Sequence, residues 1–299
     1  MEPVRVDTKN YKFNKEIPPA VTVPSGSLLT FVTKDCFGGQ ITKENETTAL
    51  AGADFNWDVM NPTCGPVAVE GAKTGDVLKV EIWGIEVTGP GVLATGKGFG
   101  VCSDYFDKLV ARVVDIKNNN VDFMPGVKIP IRPMIGVIGT APAGDPINNG
   151  WPGDHGGNMD CNMIGEGATV YLPVLVDGGL LSIGDVHAIQ GDGEICGTGA
   201  ECPAEVTVKV ELLKNFDFPT PFVENDCFHM PVASKKTLDE AVSQVVINGV
   251  DFLMKEYAMT RFDAAAFCSL AADVKICQVV DPLMTARIEI PKKLLKRLK

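Results

Sequence analysis

Apolar, β-branched runs separated by glycine and proline clusters fill the chain up to residue 213. The runs are Leu28–Thr33, Val77–Val87, Lys108–Ile116, Val170–Val176, Leu180–Ile189 and Ala204–Leu213. Turn-forming clusters break them, P-P-A at 18–20, P-S-G-S at 24–27 and G-A-K-T-G-D at 71–76. Glycine supplies positive φ and proline presets a turn, so each cluster reverses the chain. Short strands punctuated in this way predict a sandwich or barrel. Val77–Ile85 reads V-L-K-V-E-I-W-G-I, an alternation that predicts a strand with one wet face. A small turn recurs ahead of three runs, at Ser25-Gly26-Ser27-Leu28, Thr74-Gly75-Asp76-Val77 and Ile183-Gly184-Asp185-Val186. The echo lets Asp185 be read as a strand-entry residue like Asp76.

The texture changes after residue 214. Asn215–Pro221 (N-F-D-F-P-T-P) marks a boundary. Ser234–Lys255 then carries apolar residues at helical spacing, Leu238, Val242, Val245, Val246, Val250 and Leu253, with Thr237 or Ser234 as the cap. Thr260–Ala272 predicts a second helix, with Thr260 as N-cap and Asp263 three residues on. A last strand is expected over Ala286–Ile290. The expected fold is therefore mainly β, a jelly-roll-like sandwich or barrel over 1–214 that carries the site. A smaller α+β region over 215–299 packs on it.

Composition narrows the function. The 299 residues, 45% of them hydrophobic, suffice for a sizeable core and suggest about two domains. A net charge of −11 leaves no broad basic field for nucleic acid or an anionic membrane. The basic tail Lys292–Lys299 is the local exception and is read as a solvated terminus. No run reaches 18 uninterrupted apolar residues and the start lacks a signal-peptide core, so neither a membrane span nor export is expected. Nine cysteines without a C-x-x-C pair fit a reduced, cytoplasmic protein.

Three polar, glycine-rich stretches could carry chemistry. Residues 184–194 read G-D-V-H-A-I-Q-G-D-G-E and gather Asp185, His187, Asp192 and Glu194. On a strand, Asp185 and His187 project from one face, a usable spacing for a divalent metal. Residues 153–160 read G-D-H-G-G-N-M-D, in which His155, Asn158 and Asp160 can each bind a metal or a polar substrate. Residues 34–41 read K-D-C-F-G-G-Q-I and offer Asp35 and Cys36. Each stretch also reads as an ordinary tight turn. Cys36, or Cys64 in N-P-T-C-G-P, would need a base partner to act as a nucleophile. G-x-S-x-G, Walker A and H-E-x-x-H are absent, and G-K-G-F-G at 96–100 precedes no clear βαβ unit.

Six ordered blocks carry a family resemblance. They are D-C-F-G-G-Q-I at 35–41, N-P-T-C-G-P-V-A-V-E-G-A at 61–72, G-T-A-P-A at 139–143, H-G-G-N-M-D at 155–160, the 184–194 stretch, and Q-V-V-D-P at 278–282. With them the chain resembles the acetamidase/formamidase family of metal-associated amide hydrolases. The resemblance implies hydrolysis of a small primary amide, such as formamide or acetamide, to carboxylate and ammonia. It also implies a mainly β fold with a small α+β part and a homo-oligomer, for which a dimer is expected. On the matching blocks we assign Asp35, His155 and His187, with Asp185 as fourth candidate, to a divalent metal. Zinc is expected, with manganese or calcium as alternatives. Glu194 is assigned to proton transfer, Asp160 to orienting a ligand histidine, and Asn158, Gly156 and Gly157 to the amide or its oxyanion. A cysteine-nucleophile amidase remains a competing reading. So do a related hydrolase of a cyclic amide or ester, and a non-enzymatic β-sandwich module binding a small polar ligand or a structural metal.

Overall fold

A computed structural model of the chain describes residues 2–52 and 54–296. Two large sheets make its frame. The nine-stranded sheet runs Val4–Val6, Ser27–Thr33, Ala204–Leu213, Val77–Val87, Thr169–Pro173, Phe222–Glu224, Phe228–Lys235, Met284–Pro291 and Asp273–Gln278 from edge to edge. The seven-stranded sheet runs Pro152–Gly153, Gly156–Asn158, Met134–Gly139, Leu181–His187, Thr63–Val69 and Lys9–Asn10, and Val21–Val23 also pairs with Thr63–Val69. The chain is thus mainly β with a helical C-terminal region.

Alternation explains the first sheet. In Ala204–Leu213, Val206, Val208 and Val210 are buried, while Glu205, Thr207, Lys209 and Glu211 face the other way. Across the register Lys209 meets Glu81 and Glu211 meets Lys79, and Lys79 bridges to Glu211 at 3.0 Å. Half-exposed pairs of this kind contribute about 0–1 kcal/mol, whereas each fully buried valine contributes about 1.5–3 kcal/mol. The apolar face therefore holds the sheet, and the charged face mainly fixes its register. The second sheet follows a different rule. Leu181–His187, Met134–Gly139 and Thr63–Val69 are buried at every position. Val80, Ile82, Val206 and Val208 of the first sheet share one apolar cluster with Val67, Ile135, Ile138, Leu181 and Ile183 of the second.

The nine-stranded sheet crosses residue 214 without a break, because Thr169–Pro173 pairs with Phe222–Glu224. Only its covering changes there. Helix α1 (Leu238–Glu256) is closed by a capping box between Thr237 and Glu240 and buries Ala241, Val245, Gly249, Phe252 and Leu253. A Cβ at Gly249 would lie 3.2 Å from Ile288, so glycine lets the helix settle on the Met284–Pro291 strand. Helix α2 (Arg261–Ala271) is capped by Thr260. Ser234, the other cap candidate, belongs instead to the Phe228–Lys235 strand and bonds Thr285 at 2.9 Å. The predicted strand over Lys108–Ile116 is shorter, Val110–Val114, and the last one longer, Met284–Pro291. No helix among the described residues is long and apolar enough to cross a membrane. In the basic tail Lys292 pairs with Glu224 at 2.8 Å, while residues 297–299 lie outside the described residues.

Candidate active site

The site grows from the Leu181–His187 strand. Its pairing with Met134–Gly139 joins Val186 to Ile135 and Gly184 to Val137, leaving Asp185 across from Gly136. Asp185 takes a left-handed backbone, φ +54°, inside this otherwise extended strand. Asp160 (φ +45°) and Glu194 (φ +46°) share that region. Left-handed backbone costs an L-residue about 1–2 kcal/mol, and such strain collects where geometry serves function. Gly136 makes the room: a Cβ there would sit 2.6 Å from Asp160 Oδ1 and 2.7 Å from Asp185 Oδ2.

His187 is the centre. Its Nε2 lies 3.1 Å from Glu201 Oε2, 3.5 Å from Asp185 Oδ1 and 3.8 Å from Asp160 Oδ1. Its Nδ1 is 2.8 Å from Gln190 Oε1, and Gln190 Nε2 donates to the carbonyls of Asp160 (2.8 Å) and Cys277 (3.3 Å). With the amide nitrogen committed to carbonyls, Gln190 Oε1 must accept, so His187 carries hydrogen on Nδ1. Nε2 is left to face the carboxylates, the second-sphere arrangement common to metal-bound imidazoles.

A cavity of about 130 Å³ opens beside this group, lined by Asp185, Glu194, Glu201, Asp281, Asn158 and Cys36 among others, with no lysine or arginine. Burial and mutual repulsion act together on its acids. Burial, then Asp281 and Asp185, raises the Asp160 carboxyl well above the usual range. Burial, then Asp160, does the same to Glu194, and burial, then Glu194, to Asp281. Burial lifts Glu201 to about 7. Burial alone would lower His187, but Glu201 and Asp185 outweigh it and raise the imidazole. Both oxygens of Asp160, Asp185 Oδ1, Glu201 Oε2 and His187 Nε2 are buried without a hydrogen-bond partner. So many unpaired acceptors at one point are costly unless something positive joins them. The donors form two adjacent groups, Asp160–His187–Glu194 and Cys36–Asp185–Glu201, each with ligand atoms within 4.8 Å of one another. Nitrogen, carboxylate and thiol donors gathered around these unpaired atoms fit a divalent cation.

The other assigned residues sit differently. His155 is in neither donor group and does not line the cavity. It packs edge-on to Phe13 at 4.8 Å, and burial lowers its pKa to about 4. Asp35 is also outside both groups; its Oδ1 accepts from the N–H of Phe37 (2.9 Å) and Gly39 (3.1 Å). That turn delivers Cys36 to the cavity. Burial, then Glu201 and Asp185, pushes the Cys36 thiol well up, away from a reactive thiolate. Cys64 is elsewhere, donating to the Val32 carbonyl, with its thiol at about 11 through burial. Asn158 lines the cavity and donates to Asp281 Oδ2 at 2.9 Å. Gly156 (φ +93°) and Gly157 (φ +78°) lie against the Ile138 and Trp151 carbonyls, where a Cβ would clash at 2.4 and 2.3 Å. Asp192 makes a two-pronged bond to the buried Arg287, at 2.7 and 3.0 Å, and anchors the turn that carries Glu194. Sequence reasoning did not single out Glu201 or Asp281. Asp281 stood in the matching Q-V-V-D-P block, whereas nothing around Glu201 distinguished it from a surface acid.

A mainly β chain with an acid-rich, cation-ready pocket around one histidine defines a metal-associated class of protein. The chain belongs to the acetamidase/formamidase family, whose model matches residues 4–151 and 150–297. The structure is similar to that of an acetamidase from Bacillus halodurans, with a TM-score of 0.94 and 40% identity over 99% of both chains. It is equally similar, at 0.94 and 42% identity, to a predicted acetamidase/formamidase from Thermoanaerobacter tengcongensis, over 99% of this chain and 98% of that one. Among curated relatives, a putative formamidase of Schizosaccharomyces pombe is 28% identical over 68% of this chain. The match spans 64% of that relative's length.

Proposed function

We propose that the chain is a metal-dependent amidohydrolase that splits a small primary amide, of the formamide or acetamide type, into carboxylate and ammonia. The observation that carries this reading is the convergence of unpaired Asp160, Asp185, His187 and Glu201 atoms on one buried point beside a small cavity. These four residues would hold the ion. Zinc suits the mixed nitrogen and oxygen set, and the excess of carboxylates keeps manganese and calcium in play. When bound, such an ion lowers the pKa of a water to about 7 and polarises a carbonyl.

The chain's own groups supply the rest. Glu194 lines the cavity, and although it belongs to one donor group we assign it to proton transfer rather than to the ion. Burial, then Asp160, raises its carboxyl well above the usual range, which favours the protonated form that delivers a proton to the leaving nitrogen. Asp281 fixes the Asn158 side chain by accepting from Nδ2, leaving the unpaired Asn158 Oδ1 to accept from the substrate's N–H. Gln190 holds the His187 tautomer. The two large sheets would face each other as a sandwich around their shared cluster. Nine free cysteines fit a reducing, cytoplasmic setting, and a homodimer is the assembly we expect.

Cys36 gives the cysteine-nucleophile reading its one foothold, since its thiol lines the cavity. Alkylation in the presence and absence of acetamide tests it, and protection with matching loss of activity would revive it. The amidase reading itself is tested by ammonia release from formamide and acetamide before chelation, after it, and after metal is restored. Loss and recovery are expected. Bound metal without ammonia release from any short amide would favour a binding module instead.

A further inference from the structure

The G-K-G-F-G segment at 96–100 has no part in the donor groups, yet its Phe99 lines the same cavity as the acids, together with Met60. Phe99 and Met60 pack on a separate apolar cluster that contains Cys36, Phe37 and Val92. The cavity lining therefore combines carboxylates and amides with aromatic and thioether surface.

Phe99 is held in place from both directions. The Phe99 N–H donates to the Gly96 carbonyl at 2.9 Å and the Gly98 N–H to Ser103 Oγ at 2.7 Å. The Val101 N–H donates to the Ile195 carbonyl at 2.8 Å, tying this loop to the turn that carries Glu194. The two backbones meet so closely that a Cβ on Gly100 would lie 2.4 Å from the Cys196 carbonyl oxygen. The Phe99 ring lies over Gly197, where a Cβ would come within 2.9 Å of it and where φ is +91°. Met60 is secured beside it by the Asn61 N–H, which donates to the Cys36 carbonyl at 2.7 Å.

We propose that Phe99 and Met60 form the acyl-side wall of the site and restrict it to short aliphatic amides. This inference rests on the amidase reading above. The cavity holds about 130 Å³, small beside the clefts of roughly 300–1,000 Å³ that take drug-sized ligands. An acyl chain longer by two methylenes has to displace the Phe99 ring, whose backing loop is pinned to the Glu194 turn. The G-K-G-F-G segment then serves as a size filter. Its Gly100 lets the loop that carries the ring approach the Glu194 turn closely.

The test compares metal-replete wild type, Phe99→Ala and Phe99→Trp on formamide, acetamide, propionamide, butyramide and benzamide. Ammonia release and calorimetric binding of the same amides are both measured. Wild-type kcat/KM is expected to drop about 10-fold or more for each methylene beyond acetamide. Phe99→Ala should raise the butyramide-to-acetamide ratio by about 10-fold or more, and Phe99→Trp should lower the acetamide-to-formamide ratio. Should Phe99→Ala fail to fold, the opposite shift in Phe99→Trp decides. Ratios within two-fold of wild type in the folded variants would overturn the proposal. Wild type that releases no ammonia from any of the five amides would sink the amidase reading by itself. The binding order would then judge the wall: relative butyramide affinity rising in Phe99→Ala supports it, and an unchanged order overturns it.

Discussion

At the scale of single residues, space and partners decide what an acid can do. Asp76 and Asp185 follow the same Gly-Asp turn in sequence. Asp76 pairs with Lys214 near the surface, whereas Asp185 is buried, left-handed and 3.5 Å from His187. The difference lies in the neighbours, Gly136 above all, and no local pattern reveals those. Gly136→Ala should push Asp160 and Asp185 apart. We expect a stability loss of about 1–3 kcal/mol from overpacking and a fall in bound metal, read by thermal denaturation and elemental analysis. Glu194→Gln keeps the shape and removes the proton carrier. Its kcat should fall about 10²- to 10⁴-fold with metal content unchanged, and near wild-type kcat would remove Glu194 from that role.

At the scale of elements, legibility followed periodicity. Ala204–Leu213 and Val77–Val87 alternate and were readable with their bounds, because each has one face on the core and one in water. Thr63–Val69 and Met134–Gly139 are buried on both faces, show no alternation and are interrupted by Gly65-Pro66 and by Gly136, so the sequence offered no strand signal there. Those are the strands that flank Leu181–His187, and Gly136 and the site's floor were hidden with them. Helix α1 was readable from its spacing and cap. Thr237→Ala should remove both arms of its capping box and cost about 1 kcal/mol, seen as a lower Tm with the amide profile unchanged.

At the scale of the whole molecule, the site is assembled from segments spread along the chain from Cys36 to Asp281. Cys36, Asn158, Asp185, Glu201 and Asp281 meet only because the two sheets fold over one core. Spacing in sequence could suggest Asp185 with His187. It could not show that Glu201 joins the donors and Asp281 the cavity lining, or that His155 and Asp35 lie outside both donor groups. Concentrated negative charge also sets a pH dependence. Glu201 rises from 4.5 to about 7, and His187 is raised too, so the metal-free folded state binds more protons than the unfolded chain. Stability of that form is therefore greatest below about pH 4.5 for Glu201 and is lost as pH climbs towards 7. The Tm of stripped protein should fall from pH 5 to pH 7.5, and the gap to the metal-loaded protein should widen over the same range. Everything proposed for the reaction depends on the buried acids and His187 forming a cation site. Calorimetric titration of zinc, manganese and calcium into stripped wild type and His187→Ala tests it most directly. Saturable binding of at least one ion to wild type is expected, with affinity lost or sharply reduced in the variant. No binding of any of the three to folded wild type would contradict it.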